Sequence, residues 1–264
     1  MVKPPAPDLA TSAELDFASL ELDYEGFRKL AGNPHLSAHE KIGFPASYRE
    51  GHEAAILRDI LAKLPVIGEG EGKLIVDIGP GCAGLPRMLM ELCRQRGHTL
   101  VLADSEEMLA QLPDVPGVTR KCPGLFPRGH AAVAELAGRP ADAILCYSVL
   151  QYIYVDSNLF DFIDAVVMLL APHGRALIGD IPNVSKRRRF FASETGQRFH
   201  REFTGSSEPL AATFNEPAPG KIDDAVLMGL MQRAQLAGCD AYLTPQASDL
   251  PMANRRDDLI IGKP

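Results

Sequence analysis

Along the chain, short unbroken apolar runs alternate with longer stretches whose apolar residues return every three or four positions. The runs at 74–78, 99–103, 116–119, 142–146, 175–181, 239–243 and 258–262 predict β-strands. The periodic stretches at 86–96, 105–111, 130–137, 158–170 and 222–237 predict helices. Strand and helix taking turns from residue 74 onward predict an α/β fold, a doubly wound, mostly parallel sheet with helices on both faces. A ligand in such a sheet belongs at the carboxyl ends of the strands.

Upstream of residue 74 the pattern is helical. Residues 13–31 carry Leu15, Leu20, Leu22, Phe27 and Leu30 at helical spacing, and Asn33-Pro34 reads as a capped helix start. Residues 52–64 place Ile56, Leu57, Ile60, Leu61 and Leu64 on one face. The chain thus divides into a helical N-terminal segment, 1–72, expected to cover the site, and an α/β domain, 73–264. Within that domain 183–220 has no clear strand but carries Phe190, Phe191, Phe199, Phe203 and Phe214. So long an interruption predicts a lid of one or two short helices over the ligand site.

Composition removes several classes. With 46% apolar and 23% charged residues the chain is ordinary globular material, and its net charge of -7 counts against general nucleic-acid binding. No apolar run approaches membrane-span length, and Met1 to Pro7 lacks the apolar core of a secretory signal. Cys82, Cys93, Cys122, Cys146 and Cys239 are scattered with no C-x-x-C pair, the pattern of reduced thiols in a cytoplasmic chain. His35 and His39 share a helical face without a third ligand, so no metal is expected.

The strand at 74–78 runs into Gly79-Pro-Gly-Cys-Ala-Gly84, a G-x-G-x-x-G turn that opens a helix and suits a nucleotide-like ligand. Gly79 and Gly81 let the backbone approach such a ligand without a Cβ clash. The spacing alone keeps a nicotinamide-dependent oxidoreductase in contention. Against it stand Asp77, inside a strand where a dinucleotide fold keeps an apolar residue, and the lack of an obvious Tyr-x-x-x-Lys. Asp104 ends the second strand, 23 residues after Gly81, where a carboxylate can accept two ribose hydroxyls.

Four blocks resemble, in order and spacing, the class I S-adenosylmethionine-dependent methyltransferases. They are Val76-Asp-Ile-Gly-Pro-Gly81, Leu100-Val-Leu-Ala-Asp104-Ser105, Ala141 to Leu150 and Leu169 to Ile178. The likeness spans about 73–181, and Asp257 to Lys263 resembles that family's last, antiparallel strand. It implies a seven-stranded sheet with S-adenosyl-L-methionine across the strand ends and a small-molecule acceptor. By that resemblance Asp77 meets the amino group of the methionine moiety, Asp104 and Ser105 serve the ribose, and Met108 lies on the adenine. The loop Arg120 to Pro127 lacks the carboxylate that many members place near adenine, which leaves that contact to backbone at Gly124, Leu125 and Phe126. By the same resemblance, in which an N-terminal segment folds over the cofactor, Tyr48 and Arg49 are expected to reach the methionine carboxylate.

Tyr147 and Ser148 follow the fourth strand, where cofactor and acceptor meet, and Gln151 and His52 lie on the acceptor side. The segment is not the Asn/Asp-Pro-Pro-Tyr/Phe sequence of nucleobase methylation. A hydroxyl acceptor calls for a general base, for which Asp180 is best placed, with His200 and His52 as alternatives. From Asn183 to Phe203 six positive residues oppose two negative ones, a net of +4, with Arg187, Arg188 and Arg189 in a row. That run suits a phosphorylated or sugar-like acceptor and equally a solvated charged face. A non-catalytic protein that binds S-adenosylmethionine is the third reading.

Overall fold

The computed structural model describes residues 22–43, 51–206, 208–214 and 216–264. Seven strands form one sheet: β1 (Leu74–Ile78), β2 (Thr99–Asp104), β3 (Thr119–Pro123), β4 (Ala141–Tyr147), β5 (Leu170–Pro182), β6 (Asp240–Pro245) and β7 (Arg256–Gly262). Their order is β3-β2-β1-β4-β5-β7-β6, and β7 runs antiparallel to both of its neighbours. The order reverses between β1 and β4, which opens the crevice at their carboxyl ends where ligands of open α/β sheets bind.

All five residues of β1 are buried, as a central parallel strand requires. One sheet face is covered by α7 (His130–Ala137), α8 (Leu150–Asp156), α9 (Leu159–Leu169) and α12 (Asp224–Leu236). The other carries α3 (Glu53–Lys63), α4 (Pro65–Glu69), α5 (Gly84–Gln95) and α6 (Glu106–Leu109). In α5, Leu85, Leu89 and Cys93 recur every four residues and face the sheet, while Pro86 in the first turn gives up an N–H that has no helical partner anyway. Phe162, at 0% exposure in α9, is the largest side chain fully inside; burying such a ring contributes roughly 1.5–3 kcal/mol.

Two further helices precede α3, namely α1 (Tyr24–Gly32) and α2 (Ala38–Lys41). Among the described residues no helix is long and apolar enough to cross a membrane. Residues 13–21 of the expected first helix lie outside the described residues. Asn33-Pro34 starts no helix: Asn33 closes α1, and the next helix is capped by Ser37 through a capping box with Glu40. Ser37-x-x-Glu40 was the stronger signal, because two backbone donors are met at once.

The third strand begins at Thr119, three residues later than 116–119 predicts, since Pro116 and Gly117 are spent in the preceding turn. α8 is absent from the sequence-based helices. Its apolar residues Leu150, Ile153 and Val155 follow the strand without a break signal. The interruption at 183–220 does hold two short helices, α10 (Val184–Ala192) and α11 (Glu194–Thr204). Asn183 anchors them at the end of β5: its side chain accepts from the N–H groups of Ser185 and Lys186 and donates to Asp224 and Asp257.

Candidate active site

The crevice at β1 and β4 continues into a pocket whose floor is the glycine turn. Gly79 and Gly81 hold φ of 68° and 65°, and a Cβ on either would stand 2.6 Å from Val149 Cγ2 or 2.7 Å from Ile42 Cγ2. Left-handed backbone and crowding both demand glycine at these two positions. Asp104 stands beside the turn and accepts the N–H of Gly81 at 3.0 Å and of Ser105 at 2.7 Å. Burial pushes its carboxyl up to about 6, against the pull of those two N–H groups. Asp77, 4% exposed, has no hydrogen-bond partner among the described residues. Burial, then the nearby Asp104 charge, pushes it up to about 8.

The remaining wall comes from three places. Met108 on α6 and Gly124, Leu125 and Phe126 after β3 line one end, and Tyr147, Ser148 and Val149 after β4 line the other. Tyr24 and Phe27 on α1, with Tyr152, Ile153 and Asp156 on α8, close over the top. α1 is tied down on both sides. Arg28 pairs with Glu107 at 2.6 Å, the Tyr24 N–H donates to Asp156 at 2.8 Å, and Phe27 meets Tyr152 edge-on at 4.6 Å.

Of the residues singled out in the sequence, Gly79, Gly81, Asp104, Met108, Gly124, Leu125, Phe126, Tyr147 and Ser148 all line this one pocket. Ser105 instead caps α6, its hydroxyl accepting from the Met108 N–H. Tyr48 and Arg49 lie outside the described residues. His52 occupies the N-cap position of α3 without a side-chain cap bond, and His39, from the pair with His35, meets Glu53 at 2.8 Å. Gln151 donates to the Ser148 carbonyl at 2.8 Å, while its Oε1 is buried without a partner.

The insertion 183–220 is expected from the sequence to roof the ligand, yet among the described residues none of it lines this pocket, which α1 and α8 close from above. Side-chain pairing explains where α10 goes: Lys186 meets Asp257 at 2.7 Å and Arg189 pairs with Asp224, holding the helix against β7 and α12. Arg188 donates to the Glu216 carbonyl, and Arg187 lies 5.2 Å over the Phe191 ring. The three arginines therefore do not converge on the pocket. His200 packs edge-on against Phe191 in the same cluster.

Asp180 is more deeply set than the sequence implies. It is 8% exposed, accepts from the Ser148 hydroxyl and from Gln246 at 3.4 Å, and lies 3.7 Å from Arg256. Gln246 and Asp258 went unmarked in the sequence, as did Tyr24, Phe27 and Tyr152. Phe27 carried only its helical spacing, which marks a packed face and not a ligand wall, and Tyr152 only its place in an apolar run after Val149.

No protein-family model matches the sequence, and no curated protein does. Solved structures do. The plantazolicin methyltransferase BamL, in complex with a triazolic desmethylPZN analog and SAH, is similar with a TM-score of 0.56 at 12% identity, over 91% of this chain and 99% of that one. The N-methyltransferase NodS from Bradyrhizobium japonicum WM9, in complex with S-adenosyl-L-homocysteine, gives 0.52 at 12% identity, over 91% and 98%. An O-methyltransferase family protein from Burkholderia thailandensis gives 0.51 at 15% identity, over 91% of this chain but 62% of that one. This chain thus spans less than two thirds of the last protein's length. Strand order, antiparallel β7 and these likenesses agree: the chain has the class I methyltransferase fold.

Proposed function

We propose that the protein is a methyltransferase that uses S-adenosyl-L-methionine to methylate a hydroxyl or amine of a small polar molecule. The carrying observation is the pair of carboxylates at the ends of β1 and β2, Asp77 buried and Asp104 half-buried beside a left-handed glycine turn that faces an open pocket. Asp104 is placed to accept ribose hydroxyls. Asp77, buried without a partner, suits the ammonium of a methionine moiety. Met108 and Phe126 offer apolar faces for an adenine, with backbone at Gly124 and Leu125 beside them. Tyr48 and Arg49 belong to the same proposal as partners of the methionine carboxylate.

When bound, the cofactor supplies an electrophilic methyl group on sulfur; the protein's share is alignment and, for a hydroxyl, removal of a proton. Asp180 is the proposed base, and Gln151 and His52 are proposed to face the acceptor. Of Arg187, Arg188 and Arg189, the first two have no carboxylate partner among the described residues, and they are the ones left for an anionic acceptor, since Arg189 is paired with Asp224. A cytoplasmic location suits the scattered, buried thiols.

Calorimetry with S-adenosylhomocysteine and with NADH tests this reading. Micromolar binding of the first and none of the second is expected. Binding of NADH alone sinks it in favour of an oxidoreductase.

A further inference from the structure

Ser148 directly follows β4 and Asp180 lies near the carboxyl end of the adjacent β5, and both hold left-handed backbone, with φ of 63° and 55°. Such a conformation costs a residue with a Cβ about 1–3 kcal/mol, so the surroundings must impose it. They do. The Ser148 N–H donates to the Gly179 carbonyl at 2.9 Å, and the Asp180 N–H donates to Asp258 Oδ1 at 2.8 Å. The β5–β7 register also shifts between Ile178 and Ile181, an irregularity of the kind that re-aims side chains beside active sites.

The result is a Ser148 hydroxyl that donates to Asp180 Oδ2. Ser148 lines the pocket and Asp180 does not, so a ligand there meets the carboxylate by way of the hydroxyl. Among the described residues, Gln246 from the loop after β6 and Arg256 from β7 also face the carboxylate, both as donors. Asp258 on β7 is the like charge nearby, and Lys63 from α3 meets it at 2.7 Å.

We propose that Ser148 and Asp180 act as one proton-accepting couple and that the acceptor is a hydroxyl compound, an inference that rests on the methyl-transfer reading. A neutral amine attacks with its own lone pair, whereas a hydroxyl must shed its proton as it attacks. The acceptor's O–H proton passes to Ser148 Oγ while the Ser148 proton passes to Asp180 Oδ2. The acceptor oxygen bonds to the methyl carbon, and the carbon–sulfur pair stays on sulfur. One negative and one positive charge disappear together, which a site shielded from water favours.

The five native cysteines are buried, so iodoacetamide alkylation of an S148C variant reports on position 148. With S-adenosylhomocysteine saturating, alkylation should proceed. Adding D180N should lower its pH midpoint by about one unit, a rate gain of about tenfold at fixed pH below the midpoint. Protection by S-adenosylhomocysteine, or one midpoint for both variants, overturns the couple. If S148C does not fold, infrared titration of the wild type against D180N decides, because a protonated Asp180 band at neutral pH also overturns it. Calorimetry keeps the two readings apart. Absent S-adenosylhomocysteine binding sinks methyl transfer, while an Asp180-independent midpoint sinks the couple alone.

Discussion

Asp77 and Asp104 flank one glycine turn, and they differ in what holds them: Asp104 takes two backbone N–H groups, while Asp77 has no hydrogen-bond partner among the described residues. A carboxylic acid raised by burial is neutral over part of the physiological range, and a cationic ligand beside it must displace that proton.

Cofactor affinity should therefore depend on pH. Between about pH 6 and 8 S-adenosylhomocysteine should bind more tightly as pH rises, with proton release visible as a buffer-dependent heat. Asp77→Asn should flatten that profile and weaken binding about tenfold or more. A profile unchanged by the substitution sinks the assignment.

The same residue governs the stability of the ligand-free protein. A carboxyl whose folded pKa lies above its unfolded value binds more protons when folded. Its ionisation is resisted by the fold, and stability falls as pH rises from near 4 to about 8. Asp77→Asn should thus raise Tm at pH 8 by several degrees relative to its effect at pH 5, roughly what 1–2 kcal/mol gives a domain of this size. Scanning calorimetry at the two pH values checks it.

Lys63 is the pivot of a buried charge cluster. It meets Asp59 at 2.6 Å and Asp258 at 2.7 Å, and Asp258 is 0% exposed. Lys63→Met leaves that charge unopposed and should destabilise by about 3–5 kcal/mol, with partial recovery on adding Asp258→Asn. Urea unfolding of the single and double variants is the measurement, and additive losses would count against the pairing.

α1 lies over the pocket, held by Phe27 against Tyr152 and by Arg28 against Glu107, both contacts distant in sequence. Phe27→Ala removes the edge contact with Tyr152 and should speed S-adenosylhomocysteine release about tenfold, with a smaller change in association. Stopped-flow release would show it; equal off-rates would mean that α1 is no roof.

Gly79→Ala should lose cofactor binding and about 1–3 kcal/mol of stability, since the new Cβ is strained by φ and meets Val149. Calorimetry and thermal unfolding report the two effects separately.

The fold was legible because its strands are short apolar runs divided by helical periods, and because Gly79, Gly81 and Asp104 carry a spacing that survives any side-chain detail. What escaped was tertiary. Nothing local marks Gln246 as the donor shared by Tyr147, Asp180 and Asp258. Tyr24 and Phe27 look like any amphipathic helix until α1 is seen lying over the pocket. The basic residues of α10 read as a free run because Asp257, partner of Lys186, and Asp224, partner of Arg189, are distant in sequence.

Near the carboxyl ends of two neighbouring strands stand residues, Ser148 and Asp180, whose backbone glycine would adopt with less strain. A search for more robust versions of this chain should therefore enrich S148G and D180G, and those survivors should keep the fold while surrendering the chemistry. Heat tolerance and turnover would then be selected in opposite directions at these two positions.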